Sequence, residues 1–398
     1  MAMANRRKLA LFGAGEIARR FKYLYEKKHG SASFERDFCC VIDSFSNDEL
    51  FYSIPIKKPS EISMSELFVV VAVRGEIYHD ICNELEKYHL VEIKDYIYYD
   101  CFEKKICLIN ANCHGVPVKA ALHSSESFKQ EWGIYPLNTI GTYREGTIEG
   151  VLEYADMYIH VNVSQKNILR ERLSDQYCIE KLKDGCKIIT LPNVFCYGGA
   201  GIFQTEEKIN SADAGRSKIP LFWKDTLLDE IFESGHYEDA KVLLQEIESY
   251  EFDIDRLTEK FFQVMNEIKS RERKWDIKIS NYIMENYKKI PLFNDLGHPS
   301  RELCIYICKE LLKLLEIRDV DVETVAFRNP SLFELGQQSF VWLGIRRGLG
   351  IEYERKEVRT YSSNYYSLIN NEEGNYSCMT REEFVREYIY TWYGKTLK

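Results

Sequence analysis

Apolar residues fall in short unbroken runs over the first half of this 398-residue chain and at helical spacing over the second. Residues 8–12 lead into Gly13-Ala14-Gly15-Glu16-Ile17-Ala18 and then into a helical repeat through Phe21, Leu24 and Tyr25, which predicts strand, tight turn and helix. A second run, Phe38–Ile42, ends in Asp43. A third, residues 67–73, is apolar enough to be buried on both faces, as a parallel strand is. Ile77, Ile81, Leu85 and Tyr88 predict one apolar helix face behind it, and residues 96–99 close the set.

The alternation restarts at residues 106–110 and continues with runs at 157–161 and 187–191, each ending in a polar or glycine-containing loop. After Pro220 the period becomes helical. Residues 225–250 read as helix, Ile254, Leu257, Phe261, Met265 and Ile268 mark a long helix after them, and Leu303, Ile307, Leu311 and Leu314 mark another opened by Pro299 and Ser300. Thr380-Arg381-Glu382-Glu383 is a capping box ahead of a helix carrying Phe384, Tyr388 and Trp392. Residues 327–378 follow neither period. These patterns predict an α/β protein with an N-terminal Rossmann-like parallel-sheet domain over 1–103 and a larger α/β domain with helical elaborations over 104–398. No Gly/Ser-rich linker separates them, so close packing is expected.

Composition narrows the classes. With 62 acidic against 53 basic residues the net charge is −9, which excludes the basic field of a nucleic-acid binder. No stretch approaches the roughly 20 apolar residues of a membrane helix, and the apolar run behind Arg6, Arg7 and Lys8 is too short for a secretion signal. The twelve cysteines are scattered and lack Cys-x-x-Cys spacing, which points to free thiols in a reducing cytoplasm and to no structural metal. The 27 tyrosines suit core edges as well as sugar or nucleotide grooves. Self-association into a homo-oligomer is left open.

Two segments carry candidate chemistry. Gly13 and Gly15 match the Gly-x-Gly-x-x-Ala turn that lets backbone amides approach a phosphate, and Asp43 is placed to accept from a ribose hydroxyl. The same glycines could equally serve only a sharp strand-to-helix reversal, and Glu16 would repel a pyrophosphate unless it points away. Farther on, the strand at 106–110 stops at Asn112-Cys113-His114-Gly115, where a thiolate could act as nucleophile. Asp295 and His298 supply an Asp-x-x-His pair, with His298 as base and Asp295 as its orienter, while Asn112 and nearby amides could stabilise an oxyanion. A cysteine at this position could also be simple packing, and a histidine before proline a helix cap. Asn162, Gln165, Asn193 and Tyr197 lie at or after strand ends, and Lys166, Arg170 and Arg172 form a basic cluster suited to phosphates or to a solvated face.

Residues 105 to about 318 resemble the WcbI-type polysaccharide biosynthesis proteins. The resemblance rests on Ala111-Asn112-Cys113-His114, Ala155-Asp156-Met157-Tyr158-Ile159, Leu191-Pro192-Asn193-Val194-Phe195-Cys196-Tyr197-Gly198-Gly199 and Gly297-His298-Pro299, in that order. It implies an acetyltransferase that binds coenzyme A or acetyl-CoA and acts on a sugar or polysaccharide acceptor. His114 stands where the family has Gln, and Gly297 where Asn is common, so the contacts beside the thiol differ. The layout also looks like a cysteine version of the SGNH esterases. An esterase or deacetylase, transfer using His298 alone, and a nucleotide-binding scaffold without catalysis are the alternatives.

Overall fold

The computed structural model describes residues 7–136, 149–163, 172–194, 206–208, 223–295, 297–334, 336, 338–361 and 376–398. The chain forms two compact units, one of Met1–Asn112 with Glu126–Ile189, the other of Cys113–Ser125 with Thr190–Lys398.

The first unit holds a six-stranded sheet of order β3-β4-β2-β1-β5-β6, built from β1 (Lys8–Phe12), β2 (Phe38–Ile42), β3 (Leu50–Phe51), β4 (Ile54–Lys57), β5 (Leu67–Val71) and β6 (Tyr96–Tyr98). All its pairs are parallel except the antiparallel edge strand β3. Strand β5 is buried along its whole length, as its unbroken apolar run predicts. A second sheet has the order β10-β9-β7-β8, with β7 (Lys105–Asn110), β8 (Trp132–Ile134), β9 (Met157–Val161) and β10 (Lys187–Leu191). The mixed α/β class expected from the sequence is what the chain adopts.

Two helix faces differ from the expected ones. Helix Glu16–His29 buries Ala18, Phe21, Lys22 and Tyr25 and leaves Leu24 47% exposed. Lys22 can turn inward because its ammonium meets Glu26 at 2.7 Å and Glu35 at 3.0 Å and lies over the Tyr52 ring. Helix Gly75–Glu86 buries Tyr78, Cys82 and Leu85, while Ile77 is 48% exposed. The pull is again polar. The Tyr78 hydroxyl donates to Glu92 Oε1 at 2.5 Å, and the Tyr135 hydroxyl, just after β8, donates to the same oxygen at 2.6 Å. Within this unit the carboxylate thus joins a helix of the first sheet to a strand end of the second.

Burial pushes the Glu92 carboxyl above its ordinary value, against the two phenol hydrogen bonds that lower it. A raised folded-state value means the folded chain binds more protons, so this group's contribution is fully present below about pH 4.3 and declines as pH rises through the folded value. Glu92→Leu strands two buried hydroxyls and is expected to cost about 2–3 kcal/mol, whereas Glu92→Gln keeps an acceptor and is expected to stay within about 1 kcal/mol. Urea midpoints compare the two; equal losses would mean that the hydroxyls are indifferent to an acceptor.

In the second unit, residues 225–250 form two helices, Thr226–Ser234 and Ala240–Ser249, rather than one, with the break at Gly235. Helix Ile254–Arg271 follows. Helix Arg301–Leu314, capped by Ser300, buries Leu303, Cys304, Ile307, Cys308, Leu311 and Leu312, and it is Leu314 that faces out. It packs against helix Gly115–His123. The capping box at Thr380 forms as expected and starts helix Arg381–Tyr393. Among the described residues, no helix is long and apolar enough to cross a membrane.

Tyr78, Tyr96, Tyr135, Tyr158 and Tyr388 are all fully buried. Much of the aromatic richness therefore serves the core.

Candidate active site

Strand β7 ends at Asn110, and the chain reaches Cys113 just before helix Gly115–His123. The Cys113 carbonyl accepts from Val116 N at 3.0 Å, so the residue sits at the N-terminal turn of that helix, where free amides favour a negative charge. Pro117 suits this first turn because its missing N–H would have had no partner there.

Cys113 is half-buried, and its sulfur lies within hydrogen-bond reach of both His298 and His114. Burial pushes this thiol up, but the two imidazoles outweigh it and draw the pKa down to about 5. The imidazole of His298 is raised well above its ordinary value: burial lowers it, while the Asp295 carboxylate and the Cys113 sulfur raise it further. Thiolate and imidazolium therefore stabilise each other.

His298 Nδ1 sits 2.8 Å from both carboxylate oxygens of Asp295, which leaves Nε2 to meet the sulfur. Asp295 is buried, and its Oδ1 also accepts from Gly297 N at 2.8 Å. The loop bearing this pair folds back on itself. Ser300 N donates to Leu292 O and Asn294 N to His298 O, each at 2.9 Å, and His114 Nε2 lies 3.2 Å from Gly297 O. Since a carbonyl only accepts, His114 carries a proton on that nitrogen.

Three residues that sequence reasoning missed hold the loop. Arg355 donates to Phe293 O and Ser339 O at 2.9 Å and to Asn294 Oδ1 at 3.1 Å, and Ser339 N donates to Asn294 O at 2.8 Å. Nothing local marks Arg355 or Ser339, which lie in the stretch without period; Asn294, next to Asp295, was the one readable signal.

Cys113, His114, Asp295 and His298 thus come together, and Asn112 is half-buried directly ahead of the thiol. In the first unit Asp43 lies beside the glycine turn. Asp43 Oδ2 accepts from Ala14 N at 2.9 Å and Oδ1 from Phe45 N and Ser46 N, so the carboxylate already holds an amide that a phosphate would need. Gly13 adopts φ +101°, whereas open space surrounds Gly15. Asn162 donates to Asp175 at 2.7 Å, beside His160. Asn193 is half-buried after β10, and Arg172 is exposed. Gln165, Lys166, Arg170 and Tyr197 lie outside the described residues.

Residues 106–320 match the family described as polysaccharide biosynthesis enzyme WcbI. A solved structure of WcbI superposes with a TM-score of 0.54 at 14% sequence identity, covering 73% of this chain and 91% of that one. At such identity the likeness concerns the fold. No curated protein matches the chain. The family match spans more than half of the sequence and includes both the cysteine turn and the Asp-x-x-His loop, so the chain belongs to the WcbI family of polysaccharide biosynthesis enzymes.

Proposed function

We propose that this chain moves an acyl group, acetyl in the simplest case, from coenzyme A to a sugar hydroxyl during surface polysaccharide assembly, in a reducing cytoplasm. The carrying observation is a thiol drawn to about 5 by two imidazoles, one of them seated on a buried carboxylate. The WcbI structure is described as native protein without a disulfide bond between coenzyme A and a cysteine, which supports a coenzyme thiol coming to Cys113 here.

In this reading the Cys113 thiolate attacks the thioester carbonyl, and the His298 imidazolium gives its proton to the departing coenzyme thiolate. The neutral imidazole then takes the proton of the sugar hydroxyl as that oxygen attacks the acyl-cysteine, and thiolate and imidazolium are restored. Asp295 holds the ring in the tautomer this requires. Amides of Cys113 and His114, with Asn112, are the oxyanion donors nearest in sequence. Lys166 and Arg170 are the basic residues proposed for the coenzyme phosphates, and Asn193 and Tyr197 for orienting the acyl group or sugar.

The test uses acetyl-CoA carrying a labelled acetyl group. Acid quenching and peptide mass mapping are expected to find the label on Cys113, and adding a sugar acceptor is expected to move it to the sugar. Cleavage of a simple acetyl ester without coenzyme A would make the enzyme a hydrolase instead. No acyl-cysteine and no coenzyme release would end the reading.

A further inference from the structure

Gly336 lies against the Asp295–His298 pair. It adopts φ +71°, and a Cβ placed on it would overlap Cγ and Nδ1 of the His298 ring and come within 2.5 Å of Asp295 Oδ2. Other glycines with positive φ, such as Gly30, Gly185 and Gly394, face open space, where backbone freedom alone explains them. Gly336 meets a second demand, since its position leaves no room for any side chain.

We infer that Gly336 is a positioning residue for the proposed reaction: its bare backbone packs on the carboxylate edge of the imidazole and holds Nδ1 on Asp295 and Nε2 toward Cys113. This rests on the reading of Cys113 and His298 as the working pair. Any side chain at 336 must push the ring from the carboxylate or the carboxylate from the ring, and an angstrom of displacement in such a site costs on the order of 10²-fold in rate. No titratable group is needed at 336 for this role.

Two variants separate crowding from backbone strain. Gly336→Ala adds a Cβ in a conformation alanine dislikes, while Gly336→Asn adds a Cβ on a residue that tolerates left-handed φ. Both are expected to raise the Cys113 titration midpoint by at least about one unit and to lower kcat about 10- to 100-fold with little change in KM. Normal midpoint and kcat in Gly336→Asn would overturn the inference, since strain alone would then explain the alanine variant.

Stability provides a check that needs no activity. The thermal midpoint loss caused by Gly336→Ala is expected to shrink in a His298→Ala background, where the ring is gone and the strain at φ +71° is unchanged. As a control, Gly344→Ala places its Cβ 2.5 Å from Phe252 and 2.7 Å from Tyr250 O, away from the pair, and should cost the same in both backgrounds with no shift in thiol titration. Equal losses for Gly336→Ala in both backgrounds refute the inference. If Gly336→Ala folds only in the His298→Ala background the inference stands, and if it folds in neither it falls. Acyl transfer by the unaltered protein tests the underlying reading separately.

Discussion

His298→Ala is expected to carry the Cys113 thiol from about 5 to above the ordinary cysteine value of about 8.5. In the intact site burial already pushes this thiol up, and the imidazoles hold it down. Removing the imidazole with the larger pull leaves burial opposed only by His114 and also uncovers the Asp295 carboxylate, whose charge opposes ionisation. At pH 7 the thiolate share would fall from nearly all of the protein to about 3% or less. Ultraviolet absorbance of the thiolate across pH reads the change directly, and a midpoint that stayed below about 6 would show that His298 is not the group that ionises Cys113.

The same pair dictates a pH window for stability. Cys113 has a depressed folded-state value, so its contribution is present above the unfolded value and is lost as pH falls through about 5. His298 has a raised value, so its contribution is present below the unfolded value of about 6.5 and is lost as pH rises through the folded one. Wild type should lose stability at both edges, and His298→Ala should lack the His298 loss at the upper edge and, with its thiol no longer depressed, the Cys113 loss near pH 5 as well.

Cys113→Ala is expected to abolish the acyl-enzyme and to reduce acyl transfer about 10⁶-fold, the scale seen when a nucleophile is removed from a set that works as a unit. Coenzyme A affinity should change only a few-fold, because the carbonyl that anchors helix Gly115–His123 is backbone and survives the substitution. Isothermal titration and steady-state rates separate the two effects. Transfer that persisted within tenfold would assign the chemistry to His298 acting directly on the sugar hydroxyl, with Cys113 as packing.

How much of this was readable from sequence depends on the distance over which each contact acts. The strand, turn and helix of residues 8–29 and the capping box at Thr380 are local, and both appear as the pattern predicts. Asp295 and His298 are three residues apart, so their pairing was also legible. The helix faces were not, because Tyr78 turns inward for Glu92 and Lys22 for Glu35, partners more than ten residues away that periodicity does not register. Asp43 illustrates a different limit. A carboxylate at a strand end reads the same whether it waits for a ribose or closes its own turn, and only the Ala14 amide distinguishes the two. Gly336 and Arg355 come from the stretch without period, where the constraint is a neighbour 38 or more residues back in the chain.

The backbone passes from one compact unit to the other between Asn112 and Cys113, returns after Ser125 and leaves again at Thr190. No single cleavage can therefore release two whole bodies. A split after Ile189 would strand the sulfur on one fragment and its imidazole on the other, leaving each inert by itself. Mixed together, the halves would recover an acidic thiol only on reassembly, which makes Cys113 a built-in reporter of fragment complementation.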